Sequence, residues 1–333
     1  MTLFEQATQN LNRYWGYPAF RKGQDRVVQS ILDGNHTLVL FPTGGGKSLC
    51  YQVPATVLDG LTIVISPLVA LMQDQVEQLH ARGISATFVN STIPGHEVEQ
   101  RLINARNGMY KLLYCSPERL KTPLWQNELP NLDISLIAVD EAHCISEWGH
   151  RFRPPYREIR ESMGEYGAKT RWMALTASAT PEVRDDILAT LEFESPTIVS
   201  KGFQRANLKY WVTATDRPML KLQDMVKRAE GAGLIYAPTR QACENLASDF
   251  RRAGFQSAAY HAGLDADTRA GIQQNWISNE TPLVVATNAF GMGIDKPDCR
   301  WVFHYQMPDC HRGPGGPRWQ SGLSCDAFSA TGF

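Results

Sequence analysis

Phe41-Pro42-Thr43-Gly44-Gly45-Gly46-Lys47-Ser48 follows an apolar run and precedes a segment of helical composition. Consecutive glycines let successive backbone N–H groups turn toward phosphate oxygens, and the N-terminus of a following helix adds a potential that favours anions. Pro42, Thr43, Gly44, Gly45, Gly46, Lys47 and Ser48 form such a phosphate cradle, with Lys47 the cation for the outer phosphates and the Ser48 hydroxyl a ligand for Mg²⁺. The strict phosphate-loop pattern has glycine where Phe41 stands, so the strand–loop–helix context carries this reading. Asp140-Glu141-Ala142-His143 ends another apolar run, 136–139. Strand ends are where open α/β sheets place ligands. Asp140 can hold Mg²⁺ through water, and Glu141 can orient or deprotonate an attacking water. Taken alone, an acidic pair there could equally cap a helix. The catalytic candidates are therefore Lys47, Asp140, Glu141 and His143, with Ser48 and Asp140 as metal ligands.

Farther upstream stand Tyr17, Arg21 and Gln24. A Gln amide both donates to and accepts from an adenine edge, and an aromatic or guanidinium plane can stack on the base. A surface helix start is the other reading of that segment.

These residues need a scaffold that brings strand ends together. Short β-branched runs at 37–41, 62–66, 87–89, 112–115, 135–139, 172–176 and 196–200 are nearly continuous in apolar character. That is the pattern of strands buried on both faces of a parallel sheet. Segments such as 71–82 and 181–191 carry helical spacing between them. The alternation predicts a doubly wound α/β unit. A shorter series at 233–237, 257–260, 282–286 and 301–305 predicts a second, with the polar stretch 201–211 as linker. After Pro308 the chain turns rich in Gly, Pro and Ser without periodicity, and is expected to be poorly ordered.

The 333 residues suffice for about two domains. A hydrophobic share of 43% permits a sizeable core, and a net charge of −1 means that any nucleic-acid surface must be local. The N-terminus has no signal-peptide pattern, and no stretch approaches the roughly 20 apolar residues of a membrane span. Seven scattered cysteines without a Cys-x-x-Cys pair give no zinc site and no disulfide framework. A cytoplasmic setting without membrane association is expected.

In order along the chain, these segments resemble superfamily 2 helicases, and specifically the RecQ DNA helicase family. Tyr17–Gln24 looks like that family's adenine-reading motif, 42–48 its motif I, and Ser66-Pro67-Leu68 through Gln75 its motif Ia. Asn90-Ser91-Thr92 and 114–120 fall where further strand-binding segments follow. Asp140–His143 is similar to motif II in DEAH form, 174–180 to motif III, 234–236 to motif IV, and 260–264 with 285–297 to the segments through motif V. The stretch 144–156 resembles the family's aromatic-rich loop, which couples single-stranded DNA to hydrolysis; Trp148 and Phe152 offer stacking faces and Arg153 a cation. Glu147 and Arg151 replace the usual Gln and Asp.

The resemblance implies two tandem RecA-like lobes of doubly wound parallel sheet, 1–203 and 204–308, the second incomplete, then an aberrant tail 309–333. It implies ATP and Mg²⁺ as cofactors, ATP sitting between the lobes, and 3′→5′ translocation on single-stranded and forked DNA in repair and recombination, by a monomer in the bacterial cytoplasm or nucleoid. Ser66, Gln73, Trp148, His150, Phe152, Arg153, Thr176, Ser178, Thr287 and Asn288 are the DNA-binding or coupling candidates, with His261 a further one. Most can grip phosphate and sugar without reading sequence. The family's Gln- and Arg-rich motif VI has no counterpart in 309–333, where Arg312 and Arg318 lie among Gly and Pro. A truncated or frameshifted product is therefore expected to bind ATP with weak or absent DNA-stimulated hydrolysis. The alternatives are a catalytically crippled ATP- and DNA-binding module and an RNA helicase.

Overall fold

Apolar runs too continuous for a half-solvated strand need cover on both faces. A computed structural model describes residues 1–306 except Thr43, 149–151, Ser178, 202–208, Tyr210, 291–295 and Pro297. The expectations for Thr43, His150 and Ser178, for most of the 201–211 linker and for the 309–333 tail fall outside these residues. The chain divides into two units, Met1–Phe203 and Gln204–Phe333.

The first unit opens with α1 (Leu3–Trp15) and α2 (Gln24–Leu32). It then alternates β1 (Thr37–Leu40), α3 (Lys47–Ala55), β2 (Leu61–Ile65), α4 (Val69–Ala81), β3 (Ala86–Val89), α5 (Gly95–Arg106) and β4 (Leu112–Cys115). After α6 (Pro123–Glu128) come β5 (Ile134–Val139), α7 (Pro154–Arg157), α8 (Ile159–Ala168), β6 (Arg171–Thr176), α9 (Pro181–Thr190) and β7 (Thr197–Ser200). Among the described residues seven strands pair in the order β3-β4-β2-β5-β6-β1-β7, and every pairing is parallel. Alternate residues point to opposite faces. Ile63, Ile137 and Trp172 pack with Leu102, Met163 and Ile187 on one face, while Val64, Ala138 and Met173 pack with Ile31, Val53 and Met72 on the other. Trp172 is fully buried, and truncating such a residue to Ala costs roughly 3–5 kcal/mol.

The second unit runs α10 (Pro218–Arg228), β8 (Ala232–Tyr236), α11 (Arg240–Arg252), β9 (Ser257–Tyr260), α12 (Ala266–Ile277), β10 (Leu283–Ala286) and β11 (Cys299–His304). Its strands are parallel in the order β11-β8-β10-β9. Thr239 and Asp265 cap α11 and α12 by accepting from Ala242 and Thr268 N–H groups. The Trp301 ring lies where a side chain at Gly233 would stand, so β8 and β11 need glycine at that position.

Each strand lies within two residues of its sequence expectation. The differences fall at strand ends, where the chain turns out of the ladder after one more bond: Phe41 N–H donates to Thr176 O (3.2 Å) and Ser66 N–H to Cys115 O (3.0 Å).

Candidate functional site

Because the strands are parallel, Phe41, Ser66, Asn90, Ser116 and Asp140 all follow carboxyl ends on one edge of the first sheet, and Thr176 closes β6 there. The edge therefore collects side chains far apart in sequence. Phe41, standing where glycine was expected, is fully buried, with Lys201 Nζ 4.0 Å from its ring centroid.

The loop after β1 is shaped by backbone constraint. Gly44 and Gly46 have φ of +75° and +76°, which glycine adopts without a steric penalty. A Cβ on Gly45 would come 2.7 Å from Pro42 O, and one on Gly46 would strike the Gln24 amide. Gly46 is also the N-cap of α3 and has no side chain to cover the first helical amides. Lys47 Nζ donates to Phe41 O at 3.4 Å. A bare helix N-terminus, a cradle closed to any Cβ and an adjacent ammonium fit a polyphosphate.

Gln24 is buried with both ends of its amide engaged: Nε2 donates to Gly46 O (3.0 Å) and Oε1 accepts from Arg21 N–H (2.9 Å). Here it braces the phosphate loop. Tyr17 is exposed, with the Arg21 guanidinium 5.8 Å from its ring centroid, a planar cationic platform beside that brace.

Asp140 follows β5, its N–H donating to Ile65 O at 2.8 Å, and its side chain is buried. Burial first, and then the neighbouring Glu141 charge, push its carboxyl up to about 7, against the pull of Lys47 and His143. A buried carboxylate that feels the Lys47 charge suits a hard divalent cation. Glu141 sits at φ 49°, ψ 44°, a left-handed conformation that costs a non-glycine residue about 1–3 kcal/mol. His143 Nδ1 lies 3.2 Å from Glu141 Oε2 and 3.0 Å from Thr176 Oγ1. Burial would lower the His143 pKa, but its contacts with Cys144 and Glu141 outweigh that and lift it to about 9, so the ring is a cation at neutral pH. The fully buried Tyr156 donates its hydroxyl to Asp140 O at 3.1 Å, locking the backbone beneath.

Thr176 was expected to face nucleic acid, yet it is fully buried and its hydroxyl is held by His143. At the carboxyl end of β6 it links that strand to His143. His261 is likewise buried in the second unit, bonding Glu244 through Nε2 (2.9 Å) and Gly263 N–H through Nδ1. The other candidates differ. Trp148 is 79% exposed. Arg153 is exposed and donates to Pro67 O at 3.1 Å, while its N–H donates to Cys144 O at 2.9 Å, so the aromatic stretch is pinned at its base. Phe152 and Gln73 are half-buried. Ser66 is buried, and its hydroxyl has no hydrogen-bond partner among the described residues. Thr287 and Asn288 follow β10 in the second unit, half-buried and exposed respectively. Tyr51, Gln52, Tyr114 and Tyr156 were not singled out from sequence. Their signal is faint: polar atoms inside otherwise apolar runs.

A DEAD/DEAH box helicase family model matches residues 21–187. The chain belongs to that family. A helicase conserved C-terminal domain model matches residues 218–319 of this DEAD/DEAH box protein, reaching past the last described residue. The curated relatives that this chain matches include proteins named RecQ. It is 42% identical over 308 residues to the ATP-dependent DNA helicase RecQ of Bacillus subtilis, covering 92% of this chain and 52% of that protein. It is 40% identical over 305 residues to a probable ATP-dependent DNA helicase RecS of the same organism, covering 90% and 61%. The chain spans about half the length of most of the curated relatives it matches first. The fold is shared with the DUF1998 helicase MrfA bound to DNA at 16% identity and a TM-score of 0.71, over 91% of this chain and 47% of that one. The two family models thus fall on the two α/β units in turn, 21–187 on the first and 218–319 on the second.

Proposed function

We propose that this chain is the motor part of an ATP-dependent DNA helicase of the RecQ type, acting 3′→5′ on single-stranded and forked DNA. The observation that carries this is one sheet edge on which the phosphate cradle, the Asp140–Glu141 pair and the exposed Trp148 follow strand ends of a single unit. Gly44–Lys47 would hold the phosphates of ATP, with Lys47 turning from Phe41 O to the outer phosphates. Ser48 and Asp140 would hold Mg²⁺, which supplies charge neutralisation at the phosphate oxygens when bound. Glu141, held against His143, would orient the attacking water. Trp148 would stack on a base, while Gln73, Arg153 and Asn288 would meet the backbone of a strand without reading its sequence. Residues 1–203 would then be the ATP-binding lobe and 204–308 the second lobe.

One observation favours a second reading, that of a nucleotide- and DNA-binding module without turnover: the arginines of 309–333, Arg312 and Arg318, stand among Gly and Pro in the sequence. A finger arginine contributes on the order of 10³–10⁵ in rate where it acts. Steady-state ATP hydrolysis with and without single-stranded DNA decides. Turnover stimulated by DNA and lost in Lys47→Ala supports the motor. Nucleotide and DNA binding without turnover supports the module. Equal stimulation by RNA, or nucleotide binding indifferent to Lys47→Ala, would overturn the DNA-motor reading.

A further inference from the structure

Two residues on the phosphate-loop edge have no part in the chemistry above. Phe41 stands where the strict phosphate-loop pattern has glycine, and Lys201 directly follows β7. Because β7 pairs with β1 in parallel, the fold brings the two together at one edge. Lys201 N–H donates to Leu40 O at 3.0 Å, continuing the ladder past Ser200. Its ammonium lies over the Phe41 ring, 4.0 Å from the centroid. Gly23 closes another side: a Cβ there would stand 3.2 Å from Lys201 Cε and 3.4 Å from Phe41 Cζ. Phe41 also meets a second ammonium, since its carbonyl accepts from Lys47 Nζ at 3.4 Å. One residue thus holds two cations, Lys201 on its ring and Lys47 on its carbonyl.

We propose that Lys201, seated on Phe41, is a second cation of the nucleotide site, which adds to the attraction for the polyphosphate without touching the base. This rests on the functional reading above. Phe41 is fully buried, so its ring is not itself a surface for a ligand. An aliphatic side chain would fill that space, whereas an aromatic face also attracts a cation. Burial works against the charged form of Lys201, and so does Arg21. Asp25 attracts the ammonium, but its Oδ1 already accepts from Gly23 N–H at 2.8 Å. Lys201 and Lys47 both act on the buried Cys50 thiol of α3, which sets the two charges around one end of that helix. Cations gathered in this way repel one another, and a polyanion turns that repulsion into attraction. Such attraction reaches over a Debye length, roughly 10 Å at 0.1 M salt, so Lys201 acts without direct contact. Its effect grows with the number of phosphates and fades with salt.

The test is nucleotide binding by the full chain, measured by calorimetric titration with the Mg²⁺ salt of a non-hydrolysable ATP analogue and with AMP. Lys201→Met keeps an unbranched stem and removes the charge; Lys201→Arg keeps the charge. At about 50 mM salt, Lys201→Met is expected to weaken analogue binding by about 3–10-fold and AMP binding by less than about twofold. At about 0.5 M salt the loss for the analogue should shrink to less than about twofold. Lys201→Arg should stay within about twofold of the wild type at both. Phe41→Leu should lose part of the same salt-dependent affinity, and none of it in the Lys201→Met background, because the ring acts through the ammonium. Should Lys201→Met fail to fold, Lys201→Gln is read in the same way. Analogue binding unchanged in a folded Lys201→Met, or weakened equally for AMP and at both salt concentrations, overturns the inference. The functional reading stands in that event if Lys47→Ala still weakens analogue binding. A wild type that binds neither nucleotide overturns both.

Discussion

The phosphate loop and the Trp148 stretch lie on the same edge of one sheet and are built in opposite ways. On the side of the loop the described groups brace one another: Gln24 holds Gly46, Lys47 rests on Phe41 O, His143 bridges Glu141 and Thr176, and Tyr156 locks Asp140. Trp148 has an anchored base and a ring 79% open to solvent. The difference follows from what each would bind. Charge that develops on phosphate oxygens is stabilised by dipoles already in place. A sliding strand needs a flat apolar face that is reached and left without rearranging the core.

The comparison can be broken at several points. The largest effect is expected from Lys47→Ala. Losing a charge-assisted hydrogen bond of roughly 1.5–3 kcal/mol weakens nucleotide binding by about 10–150-fold, measured by calorimetric titration, while DNA affinity without nucleotide changes little. Next comes Trp148→Ala. Loss of one stacked base should weaken oligothymidylate binding by about 1–3 kcal/mol, with thermal stability altered by less than about 0.5 kcal/mol. A large drop in melting temperature would mean that the ring is part of the core. Tyr156→Phe tests the braced side: removing the bond to Asp140 O should lower unfolding free energy by about 0.5–1.5 kcal/mol, read by urea denaturation, and an unchanged midpoint would deny the brace. The smallest effect is a pH dependence. The folded pKa of His143 is raised from 6.5 to about 9, so its contribution is present in full below about pH 6.5 and is lost as pH rises through about 9. Solvent screening holds it to about 1 kcal/mol or less, and His143→Gln should flatten the stability profile over that window.

Much of this braced side was legible in the residues alone. The strands of both sheets could be read because parallel strands, covered on two faces, are nearly continuous in apolar character; β4 and β9 match to the residue. The Gly-rich turn and Asp140 could be read because their spacing reflects chemistry. What could not be read is which side chain each one meets. Gln24 looks like a base reader, and only the fold shows its amide on Gly46, 22 positions downstream. Thr176 looks like a phosphate gripper, and the fold buries its hydroxyl against His143. The Gln52–Tyr114 bond joins residues 62 positions apart, and neighbouring apolar residues conceal both partners. The left-handed backbone of Glu141 has no signal in its residue type, since asparagine or glycine is what such a conformation ordinarily attracts.

That backbone has a consequence for the protein's tolerance of change. Glu141 occupies a conformation that glycine would adopt at lower cost, so Glu141→Gly should raise the melting temperature while removing the carboxylate assigned to the attacking water. Selection of random variants for heat resistance alone would favour that replacement, and only a screen that also scores turnover would keep the glutamate. On the role proposed for Glu141, the sequence at this position records a compromise between durability and work, visible as one residue held in a shape it would not otherwise choose.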